Sequence, residues 1–125
     1  MQRAYLQLEE VRAYKIAYEL SNYTWGVIKK WDYFAKDTVG KQYVRSIDSI
    51  SANIAEGFGR YNKRDKIRFY RYSYGSVRES VDWTEKAQAR EIFSDEQYRY
   101  IIQELNKLPR EINYLIKLTN NNLKA

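Results

Sequence analysis

Residues 47–70 read IDSISANIAEGFGRYNKRDKIRFY, and this stretch decides the fold because it contains two apolar periodic segments separated by a short break. Gly57 lies where the first segment ends, and it suits the left-handed residue that closes many helices. Asn62 and Asp65 then have the spacing of an N-terminal cap for the second segment. The first segment has apolar residues at helical spacing on one face: Ile47, Ile50 and Ile54. The stretch therefore predicts two helices joined by a tight turn.

The same periodicity extends outward from this pair in both directions. It predicts four helices, over residues 9–30, 39–56, 63–90 and 94–120. Ser94 is predicted to cap the fourth helix, which contains Pro109 and carries one apolar stripe: Tyr98, Ile101, Leu105, Leu108, Ile112, Leu115 and Thr119. Residues 31–38 (WDYFAKDT) break the pattern and are predicted to form a loop. Amphipathic helices with short connections are typical of an antiparallel up-down four-helix bundle. We therefore predict an all-α fold in which residues 1–125 form a single domain.

The first helix carries two neighbouring apolar stripes, whereas a surface helix of a monomer usually carries one. The first stripe contains Ala13, Ile16, Leu20, Tyr23 and Val27, and the second contains Tyr14, Tyr18, Trp25 and Ile28. We expect one stripe to pack in its own bundle and the other to be buried elsewhere, in contact with another copy in a homo-oligomer. The alternative is one broad core face whose tyrosine hydroxyls reach water.

Gly75 interrupts the third helix, where a glycine costs about 1 kcal/mol relative to alanine. Such a residue is favoured where a backbone or a ring approaches closely. We therefore expect another segment to pack against Gly75.

The composition excludes several kinds of chemistry. The chain has no cysteine, so disulfides and thiolate catalysis are excluded, and no histidine, the commonest general base and transition-metal ligand. Glu79, Asp82 and Glu85 form an acidic helix face, but Arg78 and Lys86 lie within one turn of them, so we interpret these residues as ion pairs. We predict no catalytic residue, no metal site, no cofactor and no small-molecule substrate.

The sequence also indicates where the protein acts. No run of about 18 apolar residues is present, so we expect no membrane span. The first residues lack the apolar core of a signal peptide. The absence of cysteine fits a reducing compartment, and we predict a cytoplasmic protein.

Positive charge is concentrated in one part of the chain. Residues 57–78 contain seven basic residues and one acidic residue, so they account for the formal net charge of +6 of the whole chain. Aromatic residues alternate with these cations, and guanidinium groups bind phosphates while exposed rings stack on unpaired bases. We predict that RNA or DNA binds six residues: Arg60, Lys63, Arg64, Lys66, Arg68 and Arg71. The alternative is a solvated face whose rings point into the core.

Glu56 lies near a helix C-terminus, where a carboxylate is unfavourable by about 0.3–1 kcal/mol. Asn53 shares its helix face. We predict that both have a structural role, with Glu56 accepting a hydrogen bond from Arg60, a loop N–H or a tyrosine, which contributes roughly 1.5–3 kcal/mol. Gly57 and Gly59 do not form a phosphate loop, because no strand precedes them and no Lys-Ser/Thr follows.

The segments SISANIAEGFGR and IRFYRYSYGSVRE, with the cap between them, resemble the signature of the ribosomal RNA intervening-sequence proteins, a four-helix-bundle family. The matching residues are Ser49, Ile50, Asn53, Ile54, Ala55, Glu56, Gly57, Gly59, Arg60, Gly75, Ser76 and Glu79. Asp48, Ser51 and the cap residues depart from the family pattern. The resemblance implies a ring-shaped homopentamer and no established activity.

Taken together, these observations predict a non-enzymatic homo-oligomer that binds RNA or DNA through its basic residues. A protein-interaction scaffold that docks a partner on its Tyr- and Trp-rich surface is the alternative. A nuclease is disfavoured because the sequence has neither histidine nor a convincing cluster of metal ligands.

Overall fold

A computed structural model gives the positions of residues 6–122 of the 125-residue chain. It contains four long helices, which are α1 (Arg12–Ile28), α2 (Lys41–Gly59), α3 (Lys63–Ala89) and α4 (Asp95–Asn122). Between residues 6 and 122 there is no strand, which confirms the prediction of an all-α fold with four helices. None of these helices has the length and apolar character needed to cross a membrane. Residues 1–5 and 123–125 of the predicted domain lie outside the described residues.

The connection between α1 and α2 is helical, so the prediction of a loop over residues 31–38 was wrong. Tyr33–Ala35 form a helical turn, and Lys36–Gly40 form a π-helix that runs directly into α2. The reason is burial: Ala35 and Val39 lie in the interior of the protein. Most other residues of the connection are exposed, and a helical backbone satisfies its own hydrogen-bonding groups while it turns Ala35 and Val39 inward.

At its other end, α2 continues past Gly57 to Gly59, so Gly57 does not close the helix as predicted. No glycine among the described residues has a positive φ angle. The space beside Gly57 is occupied, because a methyl group there would lie 2.8 Å from Tyr70 Cε1 and 2.9 Å from the carbonyl oxygen of Lys66. Gly57 is therefore suited to a close approach between α2 and α3, not to a change of backbone direction.

Small polar side chains line the rest of the contact between α2 and α3. The Ser73 hydroxyl donates to the carbonyl oxygen of Ile50 at 2.8 Å, and the hydroxyls of Tyr43 and Thr84 are 2.8 Å apart. The buried small residues at this contact are Ser46, Ser73, Ser80 and Thr84. Because each hydroxyl has a partner, two backbones approach closely here without leaving unsatisfied polar groups.

The apolar stripe of α4 forms much of the core, as its spacing predicted. Its fully buried members are Ile101, Leu105, Leu108 and Ile112. Pro109 lies inside α4, and the helix continues to Asn122. At the start of α4, the Ser94 hydroxyl accepts from the Gln97 N–H at 3.1 Å, and the Gln97 side chain accepts from the Ser94 N–H at 2.9 Å. This reciprocal pair is a capping box, which agrees with the predicted cap at Ser94.

Gly75 has no neighbour of the kind that the sequence predicted. It lies on the exposed side of α3, and a methyl group there would meet nothing within 4 Å in the described part of the chain. The expectation of a closely packed backbone or ring was wrong, because α3 turns Ser73 and Val77 toward the core instead.

Candidate nucleic-acid interface

A short connection, residues 60–62, brings the predicted basic residues together at the start of α3. The Asn62 side chain caps the helix by accepting from the Asp65 N–H at 2.8 Å. The N-terminus of a helix carries a partial positive charge. Backbone and side chains therefore contribute charge of the same sign at this end of the protein. We call the exposed cations here the basic surface, and they are Arg60, Arg64, Arg68 and Arg71.

Two of these arginines are held over an aromatic ring. The guanidinium carbon of Arg60 lies 4.6 Å from the centre of the Phe69 ring, and that of Arg68 lies 5.3 Å from it. Tyr72 contacts the same ring edge-on, with 5.5 Å between ring centres. Arg68 also lies 3.5 Å from the Asp65 carboxylate. These contacts order Arg60 and Arg68 and leave part of each guanidinium group facing water.

The other two arginines of the basic surface are free of carboxylates. Arg64 and Arg71 are exposed, and neither forms an ion pair with any residue from 6 to 122. Lys63, at the first position of α3, is half-buried and likewise has no carboxylate partner in that range. An unpaired surface cation keeps its full charge available for an anionic ligand.

Lys66 makes a contact within the protein that distinguishes it from the basic surface. Its ammonium group donates to the carbonyl oxygen of Phe58 at 2.7 Å, near the C-terminus of α2. Burial lowers the pKa of Lys66. The structure therefore separates Lys66 from the basic surface and places it against a helix end, where a cation interacts favourably with the helix dipole.

The aromatic residues of this segment divide between core and solvent, so some of the rings point inward and others are exposed. Tyr70 is buried, and burial raises its pKa to about 12 against the opposing effect of the Thr119 side chain. In contrast, Tyr61 is 97% exposed and Tyr72 is 51% exposed. Tyr61 and Tyr72 are therefore the rings that a ligand can reach.

Glu56 pairs with Arg60, one of the three partners that the sequence allowed for it. Arg60 Nη2 lies 2.9 Å from Glu56 Oε2, and the side chains are 41% and 51% exposed. An exposed pair of this kind contributes about 0.3–0.5 kcal/mol, well below the predicted charge-assisted bond. Asn53 donates to the carbonyl oxygen of Ser49 at 2.9 Å, so it does not bond to Glu56. Gly59 is exposed, and a methyl group on it would meet nothing within 4 Å among residues 6–122.

The acidic residues of α3 are held by several different partners. Lys86 contacts Asp82 at 2.6 Å, as predicted. The other two carboxylates accept from aromatic residues, since Glu85 accepts from the Tyr98 hydroxyl at 2.8 Å and Glu79 accepts from the Trp83 indole at 3.3 Å. Ion pairing alone therefore does not explain this face.

A second group of cations surrounds an apolar groove between α1 and α2, and the sequence reasoning missed it. The groove has a volume of about 430 Å³ and is lined by Trp25, Ile28, Lys29, Lys36, Gly40, Lys41, Val44 and Arg45. We call it the Trp25 groove. Its cations come from the residue that follows α1, from the π-helix and from α2, so they form no run in the sequence. The available signal was the spacing of one helical turn between Trp25 and Lys29 and between Lys41 and Arg45.

Comparisons with known proteins support the fold and identify the family. Among curated proteins, none matches the chain. One similar solved structure is described as a protein with unknown function from the S23 ribosomal protein family of Bacteroides thetaiotaomicron. It superposes on this chain with a TM-score of 0.75 and is 23% identical in sequence. The match covers 84% of this chain and 98% of the Bacteroides chain. At this identity the similarity shows the fold alone. The model of the 23S rRNA-intervening sequence protein family matches residues 9–114, and the chain therefore belongs to that family.

Proposed function

We propose that the protein is a non-enzymatic, cytoplasmic nucleic-acid-binding protein that contacts RNA or DNA through the basic surface at the start of α3. The observation that carries this proposal is the state of Arg64 and Arg71. Both are exposed, both lack a carboxylate partner within residues 6–122, and both lie in the segment that holds the nearly fully exposed Tyr61. Free guanidinium groups beside an accessible ring suit phosphates next to an unstacked base.

The chemistry of this surface favours binding with little sequence preference. Guanidinium groups contact phosphate oxygens in pairs of hydrogen bonds, and such contacts carry no sequence information. Tyr61 and Tyr72 stack on any base, because every base has a flat face. Affinity then depends mainly on the release of counterions from the nucleic acid.

Fluorescence anisotropy with labelled single-stranded RNA, measured over a series of salt concentrations, tests the proposal. The slope of log affinity against log salt concentration measures the number of phosphates that the protein neutralises. In the double variant Arg64→Gln/Arg71→Gln, this slope should be smaller in magnitude by about 1 for each phosphate contact that is lost. The matched control is Arg99→Gln/Arg110→Gln, which removes the same charge from exposed positions of α4. No binding at low salt, a flat salt dependence, or equal effects of the two double variants would overturn the proposal.

For the arrangement of the helices we propose an antiparallel up-down bundle. Two contacts between α1 and α4 support this antiparallel arrangement. Arg12, at the start of α1, lies 3.0 Å from Glu111 in the second half of α4. Tyr23, farther along α1, packs 4.6 Å from Tyr100, near the start of α4. Both contacts support pairing of these two helices in opposite directions.

We further propose that copies of this chain form a cyclic homo-oligomer, a pentamer as the family resemblance implies. Exposed aromatic rings support association, since Tyr18 is 51% exposed, Tyr33 is 77% exposed and Phe34 is 76% exposed. Aromatic residues are enriched at protein interfaces. A ring would bring several basic surfaces together and strengthen their combined field. Light scattering measures the mass of the assembly directly. The mass of a single copy at micromolar protein concentration would overturn the proposed homo-oligomer.

The alternative function, a scaffold for a protein partner, draws on the same exposed rings. Tyr33 and Phe34 project from the connection between α1 and α2, away from the basic surface. Copurification of a defined protein partner that is lost in Tyr33→Ser/Phe34→Ser, together with no affinity for RNA or DNA, would favour the scaffold.

A further inference from the structure

We propose that the Trp25 groove is a second site for single-stranded nucleic acid, in which a base stacks on Trp25 and the neighbouring phosphates contact the surrounding cations. This inference rests on the proposed nucleic-acid function but uses none of the residues of the basic surface. It depends on the floor of the groove, on the charge of its rim, and on its distance from the basic surface.

The floor of the groove is its apolar lining, to which Trp25, Ile28 and Val44 contribute. Trp25 is 57% exposed, so its indole is accessible to a ligand. Ile28 and Val44 continue the apolar surface from α1 to α2. Gly40 also lines the groove, and the π-helix packs so closely there that a methyl group on Gly40 would lie 3.2 Å from Ile28 Cγ2. A surface of this kind binds the face of a planar ring rather than its hydrogen-bonding edge.

The rim of the groove carries a positive charge that its own neighbours do not cancel. Lys29, Lys36, Lys41 and Arg45 all line it. Asp37 lies 2.8 Å from Lys41, which neutralises one of the four cations. The other observed partners are neutral, because Lys36 donates to a backbone carbonyl oxygen at 3.4 Å and Arg45 donates to an amide oxygen at 3.1 Å. The groove therefore selects an anionic ligand.

Among anionic ligands, a single strand fits better than an acidic peptide. Proteins that bind single strands combine a cationic groove with aromatic side chains on which the bases stack. The Trp25 groove has both parts, since an exposed indole and four cations line it. An acidic peptide would match the charge of the rim, but its carboxylates would make no use of the exposed indole.

The groove is too far from the basic surface to act as part of it. Arg45 lies in the first turns of α2, and Arg60 immediately follows the last residue of that helix. Fifteen residues of helix separate them, which corresponds to about 22 Å. One phosphate cannot contact both places, so the two sites contribute separately to affinity.

The test compares a strand that has bases with an abasic strand of the same length, about 12 nucleotides, by fluorescence anisotropy. Trp25→Leu removes the flat ring and should weaken binding of the strand with bases by about 5- to 150-fold, the range found for loss of one stacked base. It should leave the abasic strand unaffected. Trp25→Phe keeps a flat ring and should retain most of the affinity. A second variant, Lys29→Gln/Arg45→Gln, should weaken binding of both strands.

The outcomes separate this inference from the proposed function. If Trp25→Leu binds both strands as the unsubstituted protein does, while Arg64→Gln/Arg71→Gln loses affinity, the groove proposal fails and the basic surface stands. If the unsubstituted protein binds neither strand, both fail. Two further results would overturn the groove proposal. If polyglutamate of equal charge displaces the strand from the groove, the groove selects charge alone. If Trp25→Leu changes the mass of the oligomer, a second copy covers the groove.

Discussion

The ring of Tyr70 lies directly against Gly57, and the gap between them leaves no space for even one added methyl group, which would come within 2.8 Å of Tyr70 Cε1. Tyr70 is 1% exposed. An aromatic ring from α3 thus covers the last turns of α2, and this contact positions the start of α3 and the basic surface on it.

Gly57→Ala should therefore destabilise the protein by about 1–3 kcal/mol, the usual cost of overpacking a core. Urea unfolding followed by circular dichroism measures the change. Gly59→Ala is the matched control, because the space around Gly59 is open and the expected change is within about 0.5 kcal/mol. Equal stabilities of the two variants would contradict the close contact.

Stability should fall in alkaline solution because buried tyrosines resist ionisation. Burial raises the pKa of Tyr70 from its usual value of 10.0 to about 12, and burial also raises the pKa of Tyr43. Since the unfolded chain ionises first, the stabilisation is fully present below pH 10 and is lost as pH rises toward 12. The slope for each tyrosine is at most about 1.4 kcal/mol per pH unit.

Two phenylalanine variants check this pH dependence. Tyr70→Phe should make the fall in urea midpoint between pH 10 and pH 12 shallower. Tyr61→Phe serves as the control because Tyr61 is 97% exposed, and it should leave the profile unchanged. Parallel profiles for Tyr70→Phe and the unsubstituted protein would rule out Tyr70 as a source of the effect.

The Glu56–Arg60 ion pair should contribute little to the free energy of unfolding, although Glu56 belongs to the most distinctive motif of the sequence. A double-mutant cycle with Glu56→Gln and Arg60→Gln should give a coupling energy of about 0.3–0.5 kcal/mol, because both side chains are partly in water. Thermal or urea unfolding of the four proteins provides the measurement. A coupling energy above about 1.5 kcal/mol would restore the stronger structural role that the sequence predicted.

Substitution of Lys66 should mainly lower stability, whereas substitution of Arg64 should mainly weaken RNA binding, although only one residue separates the two. Lys66→Met removes the hydrogen bond to the Phe58 carbonyl oxygen and should lower stability by about 1–2 kcal/mol, with little change in the salt dependence of RNA binding. Arg64→Gln should leave stability within about 0.5 kcal/mol and reduce the salt slope by about 1. The reverse pattern would show that Lys66, and not Arg64, contacts the phosphates.

Features of the fold that depend on near neighbours in the chain were predictable. The caps at Asn62 and Ser94 follow from residues three positions apart, and the core stripe of α4 follows from helical periodicity through Pro109. Cap and stripe both act within one or two turns of a helix, so they are visible in the order of the residues.

The errors concern contacts between distant segments. Gly57 and Gly75 are both glycines within helices, yet a ring packs against the first, whereas no described residue packs against the second. Lys66 has the same charge as the arginines around it, but a carbonyl oxygen of α2 holds it away from them. No local pattern distinguishes these cases, because each depends on which side of a helix meets another.

The order of amino acids was therefore sufficient to establish four helices, the caps of α3 and α4, most of the buried faces and a concentration of positive charge around the connection between α2 and α3. Helix formation and capping are short-range, and formal charge is additive. The packed protein alone decided which cations of the basic surface have carboxylate partners, how exposed the Glu56–Arg60 pair is, and that four cations from three segments line the groove beside Trp25. These properties depend on burial and on distances across helices, which exist only once the chain has folded.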